Sequence, residues 1–112
     1  MNSKYLGVIM AMLLATAAYP LQAKDLPVFN LSVKDGHFSP VQVEVPAGEK
    51  FKLVVKNEGS GTEEFESSDL NREKLITPGA SVVIIIGPLK AGGYGFYGEF
   101  HPQTARGQIT AK

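Results

Sequence analysis

Only two side chains in this sequence, His37 and His101, offer a neutral imidazole, and both sit beside turn residues: His37 follows Asp35-Gly36, and His101 lies between Phe100 and Pro102. Carboxylates are distributed unevenly. Glu58, Glu63, Glu64, Glu66, Asp69 and Glu73 place six of the eleven acidic groups within sixteen residues, a local negative field in a chain of zero formal charge. Taken alone, such a cluster also fits a solvated strand and loop surface, and each histidine alone fits a polar group bonded to a backbone carbonyl. Alternation along a strand sharpens the choice. If Phe65 points into a core, Glu63 points the same way, while Glu64 and Glu66 share the opposite face. An inward carboxylate needs a partner, which a metal ion, a cationic side chain or water can supply. No Ser/His/Asp spacing and no His-rich zinc motif is present, which argues against hydrolytic chemistry.

The elements that would position these groups begin after a leader. Lys4 gives a positive start, residues 6–18 form an apolar run, and Leu21-Gln22-Ala23 offers a small residue at a cleavage point. The run is too short for a hydrocarbon core of roughly 30 Å. Residues 1–23 are therefore expected to be a cleaved signal peptide, and residues 24–112 one exported, periplasmic domain with no stable membrane insertion. Met1, Met10 and Met12 leave with the signal and the chain has no Cys, so the mature domain contains no sulfur. It is stabilised without disulfides, and it cannot build a thiolate or thioether site. Loss of Lys4 leaves 10 basic against 11 acidic side chains, and no Lys/Arg block exists to mark a nucleic-acid partner or a polybasic membrane patch.

The mature part reads as short alternating segments separated by Gly, Pro, Asn and Asp turns, with no helical spacing kept for three turns. Residues 28–34 form a first strand, closed by Asp35-Gly36, a pair suited to positive φ. Residues 41–45 put three valines on one face, with Gln42 and Glu44 on the other. Pro46-Ala47-Gly48 suits a type I turn, and Phe51, Leu53 and Val55 alternate with lysines. Residues 62–67 make a further strand, and residues 68–74 an irregular loop or a single helical turn. The β-branched run 81–86 is expected to be covered on both faces. Residues 94–99 and 107–111 close the domain. About seven strands in this length make an all-β, Greek-key β-sandwich.

Asp35-Gly36-His37-Phe38-Ser39-Pro40, Val43-Glu44-Val45-Pro46-Ala47-Gly48 and Val54-Val55-Lys56-Asn57 resemble the opening half of a cupredoxin. Tyr94-Gly95-Phe96-Tyr97-Gly98-Glu99-Phe100-His101, with Gly107-Gln108-Ile109, resembles its C-terminal ligand loop. A blue-copper site uses two His, a Cys and usually a Met. By this resemblance Glu63 or Glu64 stands where the first His belongs, Gly98 replaces the Cys, His101 matches the second His, and Ala105 lies near the Met. Blue-copper electron transfer is thereby excluded. Glu64-Phe65-Glu66 and residues 98–102 further resemble the sulfur-free, EfeO-type cupredoxin-like proteins that accompany bacterial iron permeases. That resemblance implies metal contacts from His101, Glu63 or Glu64, His37 and Glu66, with Glu99 as a further candidate. Oxygen donors with imidazole suit iron or Cu(II) better than Cu(I). The expected role is ferrous iron uptake, by copper-assisted, ferroxidase-type oxidation or by delivery to an iron permease or a periplasmic iron-binding protein. The alternatives are a copper or iron binding module without turnover, and a structural sandwich that has kept only the fold.

Overall fold

A computed structural model describes residues 25–112, and the expected leader, residues 1–23, lies outside them. Nine strands follow in order: β1 (Val28–Lys34), β2 (His37–Ser39), β3 (Gln42–Val45), β4 (Phe51–Asn57), β5 (Glu63–Ser67), β6 (Arg72–Ile76), β7 (Ser81–Ile86), β8 (Gly92–Tyr97) and β9 (Arg106–Ala111). They form a four-stranded sheet, β2-β1-β4-β7, and a five-stranded sheet, β3-β9-β8-β5-β6. Among the described residues there is no helix, and the all-β reading holds. β1 with β4 and β3 with β9 are parallel pairs, each within one sheet, so the chain between the partners passes through the other sheet rather than turning in a simple hairpin.

Alternation explains the layers. Leu53 and Val55 on β4, Val43 and Val45 on β3, and Ile84 and Ile86 on β7 face inward and are buried. Phe38, Phe65 and Phe96 meet in the core with ring centroids 5.0 to 6.3 Å apart, two of the three contacts edge-to-face. Gly107 is required there, because a Cβ on it would lie 2.3 Å from Phe96 Cζ. The first hairpin turns on Asp35 (φ 50°) and Gly36 (φ 80°), the paired positive angles of a type I′ turn, and it sets Lys34 opposite His37.

Three features depart from the sequence reading. Residues 68–74, expected as a loop or helical turn, contain a four-residue turn and then the start of β6. The turn is held by the Ser67 hydroxyl accepting from Leu70 N (3.1 Å) and by Asn71 at φ 55°. β6 is an edge strand whose first four residues are not buried, so it carries no alternation to be read. β6 and the three-residue β2 bring the count to nine rather than about seven. The run 81–86 is covered on one face only: Val83 is 54% exposed and Ile85 50%, because β7 is the outer strand of its sheet and, among the described residues, no third layer lies over it. The Arg72 guanidinium reaches from β6 to donate to the Ile85 carbonyl (3.2 Å) on this open edge.

The two faces of β7 should therefore respond differently to substitution. Ile84→Ala is expected to cost about 2–5 kcal/mol, whereas Ile85→Thr should change stability by less than about 0.5 kcal/mol. Urea denaturation of the two variants checks this. Similar losses would mean that both faces are packed.

Candidate metal-binding site

β5 supplies acidic side chains to both of its faces. Glu63 opens the strand on the core side, 2% exposed, with its Oε2 accepting from Gly36 N (2.8 Å) and its Oε1 3.1 Å from His101 Nδ1. An ionised Glu63 accepts at both oxygens, and the imidazole then carries its proton on Nδ1 and turns Nε2 outward. His101 is held by its loop. Gly98 N donates to the Ala105 carbonyl, His101 N to Gly98 and Ala105 N to His101, while Arg106 Nε donates to Pro102 O (2.6 Å). The segment leading into β5 is fixed by Asn57, fully buried, which donates to the Gly61 and Ile76 carbonyls and accepts from Gly59 N.

Glu64 faces the other way and is nevertheless only 3% exposed; its Oε1 accepts from Glu99 N at 3.0 Å. Sheet register then assembles a cross-strand row. Glu73 on β6 stands opposite Glu66 on β5, Glu66 opposite Tyr97 on β8, and Tyr97 opposite Arg106 on β9. The Tyr97 hydroxyl donates to Glu66 Oε2, and the Arg106 guanidinium lies 5.6 Å over the Tyr97 ring. One carboxylate oxygen from each of Glu64, Glu66, Glu73 and Glu99 lies within 4.8 Å of the others. Ligands on opposite sides of one ion, with bonds of about 2.0–2.6 Å, are about 4–5 Å apart, so this spacing is that of a single coordination shell.

The electrostatics record the crowding. Burial holds the Glu64 carboxyl above the ordinary carboxylate range; the bond from Glu99 N opposes this, and the charges of Glu66, Glu99 and Glu73 add to the rise. The Tyr97 phenol is also raised, first by the bond it donates to Glu66, which ionisation would break, and then by desolvation and by the Glu66 and Glu99 charges.

The sequence candidates thus separate into two groups. Glu63 and His101 meet on the core side of β5, beside the 35–36 turn. Glu64, Glu66 and Glu99 meet on the outer side, together with Glu73, which was recognised only as part of the acidic run. His37 is exposed on β2. Because neighbouring residues of a strand face opposite ways, no single ion takes both Glu63 and Glu64. Glu73 and Tyr97 could not be placed from sequence, since they arrive through the pairing register of β5 with β6 and β8.

A thiolate centre does not fit. A Cβ on Gly98 would lie 2.9 Å from the Glu64 carbonyl oxygen and 3.1 Å from Ala105 Cβ, so even the first atom of a cysteine side chain requires the backbone to shift. The chain has no cysteine to place there.

Two β-sheets closed around an aromatic core, with a histidine-bearing loop between the last two strands, define a cupredoxin-like protein. The chain matches the Cupredoxin-like domain family over residues 6–111 and belongs to it. It is 38% identical over 115 residues to an uncharacterized protein of Rickettsia prowazekii (strain Madrid E), covering 96% of this chain and 92% of that one. Two solved structures share the fold. The purple cupredoxin of Nitrosopumilus maritimus superimposes with a TM-score of 0.58 at 20% identity, over 74% of this chain and 98% of that one. Auracyanin A, a "blue" copper protein of Chloroflexus aurantiacus, does so with a TM-score of 0.64 at 12% identity, over 76% and 98%.

A carboxyl raised in the folded chain binds more protons there than in the unfolded chain between the two pKa values. Its contribution to stability is present below the unfolded value, 4.5, and is lost as pH rises through the folded one. Glu64→Gln should remove this component. Denaturation midpoints taken from about pH 4 to 7 should fall less steeply with rising pH in the variant than in the wild type; parallel profiles would overturn the assignment to Glu64.

Proposed function

We propose that this chain is an exported metal-binding protein that holds a hard cation on the outer face of β5 through Glu64, Glu66, Glu73 and Glu99, and that it serves ferrous iron uptake. One observation carries the reading. Glu66 and Glu73 are placed directly opposite each other by the strand register, with Glu64 and Glu99 joining them, and among the described residues no lysine or arginine forms an ion pair with any of the four. Like charges directly opposite on neighbouring strands destabilise a sheet, so the arrangement gains most from a cation between them. The proposal takes Glu64, Glu66 and Glu99 from the sequence candidates and adds Glu73. It leaves out Glu63 and His101, which already satisfy one another, and the exposed His37.

An all-carboxylate shell suits hard ions and disfavours Cu(I). The set therefore fits iron, or Cu(II) without cycling, better than a copper centre that oxidises Fe(II), and the role it supports is holding iron for a permease or a periplasmic iron-binding partner. Export is supported by the leader pattern of residues 1–23. Iron uptake is supported by the resemblance of residues 64–66 and 98–102 to proteins that accompany iron permeases, with which the oxygen donors are compatible.

Titration calorimetry with Mn(II), Cu(II) and, under anaerobic conditions, Fe(II) tests the site. A single-site isotherm that survives salt is expected, weakened about tenfold or more by Glu64→Gln or Glu66→Gln, a loss of at least about 1.4 kcal/mol, and unchanged by His37→Ala. Binding that salt abolishes, with every Glu→Gln contributing equally, would reduce the cluster to a diffuse negative surface. Iron uptake itself is tested by radioiron accumulation. Cells lacking the chain should accumulate less, and the Glu64→Gln chain should not restore the difference.

A further inference from the structure

We propose that the Glu63 carboxylate replaces a metal ion as the tie that closes the loop end of this sandwich, so that the core side of β5 is completed by the chain's own atoms and accepts no ion. The inference stands apart from the carboxylate cluster on the opposite face. Three segments distant in sequence meet at this point: the 35–36 turn, the start of β5, and the 98–105 loop. A coordinated ion would join them by bonding to several at once. Here the two oxygens of one buried carboxylate do so, Oε2 taking the Gly36 N–H at 2.8 Å and Oε1 facing His101 Nδ1 at 3.1 Å.

Each neighbouring position is also filled. The imidazole packs so closely on the turn that a Cβ at Gly36 would lie 2.7 Å from His101 Cγ, and the positive φ of Gly36 independently requires glycine. On the far side Gly98 meets the Glu64 carbonyl and Ala105 with no room for a donor side chain. The nitrogen that would have to face an interior ion, Nδ1, is instead taken up by Glu63 Oε1 at 3.1 Å. An ion entering there must break that contact and displace a carboxylate that is 2% exposed and bonded on both oxygens.

This arrangement has a definite chemical requirement: two acceptors on one side chain. Glutamine offers one oxygen and one NH₂, so Glu63→Gln keeps both contacts only if the imidazole moves its proton from Nδ1 to Nε2, whereas Glu63→Leu supplies neither acceptor and leaves the Gly36 N–H unpaired.

The test is nitrogen NMR of the His101 imidazole in the purified protein, first after chelation and then with zinc(II) to saturation, alongside thermal unfolding. Support requires a protonated Nδ1 and an unprotonated Nε2 after chelation, an Nδ1 proton that persists in zinc, a melting temperature unmoved by chelator, and a melting temperature lowered by roughly 10 °C in Glu63→Leu. Loss of the Nδ1 proton on adding zinc, or a Glu63→Leu chain as stable as the wild type, overturns the proposal. A variant too unstable to purify leaves the decision to the wild-type spectra. Zinc that binds nowhere, with the Nδ1 proton in place, supports this proposal, while the carboxylate cluster is decided separately by the Mn(II), Cu(II) and Fe(II) titrations.

Discussion

A single carboxylate, that of Glu63, decides how the loop end of this molecule is built. Buried on the core side of β5, it is bonded to a backbone amide 27 residues earlier and to an imidazole 38 residues later. Neither partner is a formal cation from a lysine or arginine, so the group is stabilised by directed hydrogen bonds in a region where an unpaired charge would be costly. The type I′ turn, the absence of a side chain at Gly36 and the compact hydrogen-bonded loop around His101 all serve that geometry. Asn57, donating to two carbonyls and accepting from Gly59 N, fixes the chain on its way into β5 and so sets where the carboxylate arrives.

The outer face of the same strand is governed by the opposite balance. There the acidic groups are brought together by ladder register, with one buried member, Glu64, anchored by the Glu99 amide, and three more exposed ones around it. Tyr97 and Arg106 extend the row across β8 and β9, so negative charge at the β6 end grades through a phenol to a guanidinium. The seam between β5 and β8 is thin, with one residue pair in register. Side chains reinforce it, Ser67 donating to the Gly95 carbonyl and Asp69 accepting from Gly95 N. Position along β5 thus separates a satisfied carboxylate from a crowded set only one residue away.

Much of this was legible in the sequence, for reasons that can be named. Asp35-Gly36 announces positive φ, Val43 and Val45 announce a one-sided strand, and Phe65 fixes the facing of Glu63 and Glu64 through the two-residue period; Val41, read as sharing the valine face, instead lies just before β3 and is 64% exposed. What was not legible depends on pairing between distant strands. Nothing in Arg72-Glu73-Lys74 marks an edge strand, because a strand with little buried surface has no hydrophobic period. Nothing local tells that Glu73 will stand across from Glu66, or that Tyr97 will donate to it. The run 81–86 looked doubly buried because β-branched residues are used for their fit to a pleated surface as well as for burial, and only the absence of a third layer distinguishes the two.

The exposed edge of β7 has a consequence for the protein as a member of a concentrated population. Ser81, Val83 and Ile85 turn their backbone groups away from β4, as the Ala80 carbonyl's bond to Asn57 N and the Arg72 bond to Ile85 O together indicate. Such a row of uncharged positions, two of them β-branched, is a template on which a neighbouring copy could extend the sheet. The guanidinium of Arg72 occupies one of the carbonyls that this growth would use and sets a positive charge beside it. One side chain borrowed from the other layer thereby acts as a gatekeeper against polymerisation, a burden that falls on it because the strand itself carries no lysine, proline or bulge.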